Sequence, residues 1–257
     1  MNKYLLLLIV LFHTFLFSSD LFSLTSFTNE FYYFDGFESN LKIYNSSNKL
    51  IDSMDLSNAC KGATADYFIK YDKLKNYLFS SISGIMYLLD ENYNLTSILD
   101  LNKLFSLNFV DKVYPINYNS LLVASEDLDK FYILENKELS EILTFSDIPV
   151  DFFFDSDKIF ILFNDRVEIY SSSGVYGRFV PFKIIEEPTQ LVYSESKIFI
   201  KHKAGIERVN VRDRNKNQYK IEYQTRVIEE NDIQDFAVIG NQIALLKGNK
   251  IIFRTIK

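Results

Sequence analysis

Five polar side chains stand at matching places in this sequence. Asp66, Asp111, Asp151, Gln190 and Asp235 recur at intervals of roughly 40 residues, each just ahead of an apolar run. Carboxylates brought from separate repeats to a common point can coordinate a divalent cation or hydrogen-bond a sugar. The same repetition is also what a structural role predicts, each side chain capping backbone amides of its own or the neighbouring repeat. An enzymatic centre normally breaks symmetry, so the repetition favours binding or structure over catalysis.

The remaining inventory narrows the chemistry. The single cysteine, Cys60, cannot form an intramolecular disulfide or a thiolate zinc cluster and reads as a packed, inert thiol. Of two histidines, His13 lies in an apolar N-terminal stretch, which leaves His202 alone in the folded part and rules out a multi-histidine metal site. Lys201 and Lys203 flank His202 with no carboxylate adjacent, so it is expected at the surface. The acids Asp127, Asp129, Asp155 and Asp157 lack the glycine and terminal glutamate of an EF-hand and read as turn residues. A net charge of −6 and a pI near 5.1 exclude nucleic acid as a partner. Basic residues gather between Lys201 and Lys220, which reads as a solvated hairpin.

The elements that position these residues are strands. After residue 20, short β-rich runs alternate with Asn, Asp, Ser and Lys clusters. One unit runs from Ile148 to Phe182 as four strands joined by tight turns. Its second strand recurs at Asn76, Ser120, Lys158, Lys197 and Gln242, with a less typical copy from Phe31 to Met54. Six units of roughly 40 residues account for the chain beyond the leader. Consecutive apolar residues, as in Phe152, Phe153 and Phe154 or Ile159 to Phe163, require burial on both sheet faces. A closed ring of blades packed face to face supplies that.

The run Pro149-x-Asp151, then Asp155 to Ile161, then Asp165 to Tyr170 and Gly174, resembles one repeat of the NHL-type β-propellers. That resemblance implies an all-β, six-bladed propeller of four-stranded antiparallel blades, an architecture that hosts receptors, scaffolds and enzymes. In such a ring Asp66, Asp111, Asp151, Gln190 and Asp235 would surround one mouth of the central channel. The expected function is an exported, non-enzymatic module, monomeric, binding a protein or small ligand through a loop face or the channel mouth without a resident cofactor. The alternative is a propeller hydrolase or lactonase with a divalent cation in the channel, held by the four aspartates. The last unit shows three strands before Lys257. Phe22 to Phe27 is expected to complete it as an outer strand, the rival being that this segment is the inner strand of the first unit.

Ahead of the 20–257 propeller, residues 1–19 read as a signal peptide or uncleaved anchor: Lys3 supplies the charge, Tyr4 to Phe17 the apolar run, and Ser18-Ser19-Asp20 the polar return. The run is short for a membrane span. The expected location is outside the cytoplasm, periplasmic, cell-envelope or secreted, with no membrane span unless the leader is retained. Mass spectrometry of the native protein should therefore find a new N-terminus between about residues 18 and 24. Full-length protein recovered from the cytoplasm would contradict export.

Overall fold

The computed structural model describes residues 21–256 except 62, 73, 106–109, 118, 126–127, 156, 183–184 and 214–218, so the expected leader lies outside the described residues. Six antiparallel sheets follow one another along the chain. The first blade comprises β1 (Phe22–Phe27), β2 (Glu30–Asp35), β3 (Asn40–Asn45) and β4 (Leu50–Asp55). The second comprises β5 (Tyr67–Lys70), β6 (Asn76–Ser80), β7 (Ile85–Leu89) and β8 (Leu95–Asp100), and the third β9 (Val110–Pro115), β10 (Ser120–Ser125), β11 (Lys130–Glu135) and β12 (Glu138–Thr144). The fourth is β13 (Asp151–Asp155), β14 (Lys158–Leu162), β15 (Arg166–Ser171) and β16 (Tyr176–Pro181), and the fifth β17 (Pro188–Ser194), β18 (Lys197–His202), β19 (Gly205–Asp213) and β20 (Tyr219–Ile228). The sixth has three described strands, β21 (Asp235–Ile239), β22 (Gln242–Lys247) and β23 (Lys250–Thr255). The chain is a six-bladed β-propeller. Among the described residues no helix is long and apolar enough to cross a membrane.

Burial on both faces is visible residue by residue. Along β14, Ile159 and Ile161 point into the cluster shared with the third blade, while Phe160 and Leu162 point into the cluster shared with the fifth. Each of the six blade-to-blade interfaces holds such a cluster. Of the three consecutive phenylalanines, Phe152 is buried, whereas Phe153 and Phe154 are half-buried and line the channel. Cys60 is buried and its thiol is pushed up by that burial, which keeps it protonated and inert.

With only eight glycines in the chain, several hairpins turn on other residues. Glu195 and Ser196 join β17 to β18 with φ of 48° and 63°, and Asn136 and Lys137 join β11 to β12 with 52° and 68°. Two positive φ values make the type I′ turn whose twist suits a two-residue hairpin. Non-glycine residues accept the strain, roughly 1 kcal/mol each, because the flanking ladders fix the turn.

The ring closes differently from the expected end-to-end strand exchange. Phe22–Phe27 is the inner strand of the first blade, paired with β2 from Phe22↔Asp35 to Phe27↔Glu30. Its residues explain why: Phe22 and Leu24 are buried against Ala237, Ala244 and Leu246 of the sixth blade, an environment no outer strand provides. Phe253 adds rings 5.6 Å from Phe31 and 5.4 Å from Tyr44. Side-chain packing thus joins the last blade to the first.

Replacing Ile161 by Asp places an unpaired carboxylate between the third and fourth blades and should cost roughly 3–5 kcal/mol. Ile148, 71% exposed, should accept the same change within about 0.5 kcal/mol. Equal urea midpoints for the two variants would contradict the packing.

Candidate functional site

In a propeller the first strand of every blade pairs on one side only, so its other edge turns backbone groups toward the channel. Side chains at one register position meet that need. The Ser23 hydroxyl accepts the Phe68 N–H at 3.1 Å, linking the first blade to the second. Asp151 accepts the Leu191 N–H at 2.7 Å, linking the fourth to the fifth, and Asp235 accepts the Leu24 N–H at 2.6 Å, linking the sixth to the first. Between these, the Lys112 ammonium donates to Asp151 and the Gln190 amide donates to Asp235. Ser23, Tyr67, Lys112, Asp151, Gln190 and Asp235 occupy equivalent places, one per blade, each followed by a buried apolar residue of its strand.

The five residues singled out in the sequence therefore separate. Asp151, Gln190 and Asp235 share the belt register and line the channel. Asp66 and Asp111 stand one residue earlier, Asp66 just ahead of β5 and Asp111 at the bulge in β9. Asp66 is buried inside its own blade, where it accepts the Ser81 N–H at 2.8 Å and the Ser81 hydroxyl. Neither Asp66 nor Asp111 lines the cavity. Sequence reasoning missed Ser23, Tyr67 and Lys112. The signal for the first was spacing, since Ser23, Asp151, Gln190 and Asp235 each stand seven residues before the first residue of their second strand: Glu30, Lys158, Lys197 and Gln242.

The belt is electrostatically balanced. Burial pulls the Lys112 ammonium down, but the Asp151 carboxylate outweighs it and Lys112 stays well above its ordinary value. Burial raises Asp235 against the pull of Lys201 and of its three hydrogen bonds. Burial also pushes the Tyr67 phenol well up and the Tyr114 phenol up to about 12, so both remain neutral donors in the channel wall. From the belt toward the C-terminal ends of the inner strands the channel encloses a cavity of about 570 Å³. Tyr67, Tyr114 and Phe153 supply aromatic rings to its wall, with Ser26, Lys70 and Gln190 among its polar lining. The Gln190 Oε1 atom is buried with no hydrogen-bond partner among the described residues. No three His, Cys, Asp or Glu side chains converge among the described residues in a way that could hold a metal ion.

His202, expected at the surface, is instead buried on the fifth blade. Gly205 turns the chain back opposite it, and Glu207 then lies 3.8 Å from its Nε2. Burial and Arg226 lower its basicity, so the ring is neutral at ordinary pH. It does not line the channel.

No protein-family model matches this chain, and no curated protein resembles it in sequence. Solved structures do resemble it in shape. They include a streptogramin B lyase (10% identity, TM-score 0.58, covering 93% of this chain and 84% of that one) and Kluyveromyces lactis Hsv2 (9%, 0.57, 88% and 90%). A computationally designed protein, Ika8, is a third (9%, 0.51, 91% and 71%). The likeness is one of fold. A lyase and a designed chain share this frame, which is why function has to be argued from the channel itself.

Asp66 provides a pH test. Burial raises its carboxyl to about 6, against the hydrogen bonds from Ser81. The folded state then holds a proton that the unfolded chain releases, so its contribution to stability is present at low pH and lost as pH rises through about 6. Relative to Asp66→Asn, the wild type should gain about 2 kcal/mol of unfolding free energy between pH 7 and pH 4.5. A flat difference in urea melts would contradict the buried, proton-binding carboxyl.

Proposed function

We propose that the protein is an exported, non-enzymatic binding propeller that takes a ligand in the open end of its channel. The observation that carries this reading is the commitment of the channel carboxylates: Asp151 is taken up by Lys112 and the Leu191 amide, and Asp235 by Gln190 and the Leu24 and Phe236 amides. Acids occupied in this way hold blades together and are poor metal ligands or proton shuttles. Beside them lies a cavity of ligand size with aromatic rings and neutral phenols in its wall. Those features suit a neutral, polar ligand with one flat apolar face, of which a sugar ring is the type.

The second reading, a hydrolase or lactonase with a channel cation, needs Asp66, Asp111, Asp151 and Asp235 to converge. Two of them, Asp66 and Asp111, do not line the cavity, which counts against it. Melting curves with millimolar calcium, magnesium or zinc separate the two. A resident cation at 100 times its Kd adds about 2.7 kcal/mol to stability, and the binding reading expects no rise. A Tm increase with any of these ions, abolished by Asp151→Asn, would favour the hydrolase. Under the binding reading, a neutral sugar that raises Tm should lose its effect in Tyr114→Ala, whose ring faces Phe153 at 6.1 Å in the cavity wall.

A further inference from the structure

Five blades have four strands; the sixth has three among the described residues, ending at β23. The direction of its open groups follows from the ladder. Gln234 donates to the Leu246 carbonyl at 2.8 Å, so Leu246 turns its backbone toward β21, and its partner Ile251 turns outward. Alternation then sends the N–H groups of Ile251, Phe253 and Thr255 to the open edge. The Phe253 carbonyl is met there by Arg254 Nη1 at 3.2 Å. The strand has no proline or bulge to blunt it.

Both neighbouring blades present apolar surface to the place where a fourth strand would lie. On the first blade, Leu50 pairs with Tyr44, whose ring packs on Phe253, and Leu50 is 47% exposed. On the fifth, Tyr223 pairs with Asn210 on the face that Ile206 and Arg208 turn toward the sixth blade, and it is 43% exposed. Four basic side chains stand around this slot. Lys250 and Arg254 lie on the edge, Lys42 sits over the Tyr33 ring on the first-blade side, and Arg208 sits over Tyr223 on the fifth. Glu230 is held by Arg254 at 3.0 Å and Lys247 at 3.1 Å, and Asp35 and Glu38 lie near Tyr33 on the first-blade side. On β4, Asp52 pairs with Ile43 on the face toward the second blade, and Asp55 caps the Ser57 amide.

We propose that the open edge of β23 docks an extended acidic segment of a partner protein, which adds as the fourth strand of the sixth blade. Main-chain bonds to Ile251, Phe253 and Thr255 supply affinity, alternate apolar side chains cover Leu50 and Tyr223, and acidic ones meet Lys42, Lys250 and Arg254. A second copy of this chain fits less well, since antiparallel pairing of two β23 edges brings Lys250 and Arg254 of each copy together. The site is separate from the channel, so its failure leaves the channel reading standing.

The test is amide hydrogen exchange on the full chain as isolated, with an acetylated hexapeptide of alternating Glu and Val and its Lys and Val counterpart. The acidic peptide should slow exchange at Ile251, Phe253 and Thr255 more than tenfold while the basic one leaves it unchanged. Thr255→Pro, which removes an edge donor without touching the ladder to β22, and Lys250→Glu should each weaken acidic-peptide binding at least tenfold. Protection of these amides in the protein alone would overturn the proposal, showing the slot already filled: by a second copy if size-exclusion gives a dimer, by this chain's own N-terminal residues if it gives a monomer. Equal protection by both peptides, or by neither, would overturn it as well.

Discussion

The inner strands of the ring have one ladder each and two edges. Backbone groups on the second edge face a channel, where leaving them unpaired would cost free energy comparable to a lost hydrogen bond. This chain answers with side chains that reach sideways from one blade to the amide of the next: Ser23 to Phe68, Asp151 to Leu191, Asp235 to Leu24. Each bond satisfies an edge and also fixes the angle between neighbouring blades. The inter-blade clusters then pack at that angle. Lys112 and Gln190 extend the connection by bonding the acids rather than the backbone, so polar links run from the third blade through the sixth to the first and second.

Closure depends on this arrangement because no strand is shared between the described ends of the chain. At the seam, Asp235 holds the Leu24 amide, the Ser26 hydroxyl donates to the Val238 carbonyl at 3.0 Å, and Phe253 fills the gap beside Phe31 and Tyr44. The seam is therefore made of the same kinds of contact as every other interface. Its distinguishing feature lies farther out, at the β23 edge, where the sixth blade has no fourth strand among the described residues.

Much of the architecture was legible because it rests on repetition. The second strands recur with their apolar doublets, and runs such as Ile159 to Phe163 demanded two buried faces before any ring was seen. What was not legible turned on single-residue register and on burial. Phe22-Ser23-Leu24 has a composition that suits an inner or an outer strand, and only its contacts with Ala237 and Leu246 decide between them. Asp66 and Asp111 sit beside Tyr67 and Lys112, the true belt positions, because the longer turns after β5 and β9 shift the spacing that four other blades keep. An aspartate next to the right place was easier to see than a tyrosine or lysine in it. His202 misled for a similar reason: its flanking lysines are near in sequence, whereas Glu207 and the core are near across a hairpin.

The belt also bears on the proposed function, since its carboxylates are already bonded to neighbouring blades. What remains for a ligand is the cavity beside it. Hydrogen exchange of the Leu24, Phe68 and Leu191 amides tests the account most directly. These groups face the channel without a strand partner, and the structure bonds each to a side chain from the preceding blade. Exchange as slow as that of the central-strand amides, such as Phe160 and Phe199, is the predicted result. Exchange at the rate of solvent-exposed loop amides would show that the belt does not hold the ring, and that the channel acids are available for other work.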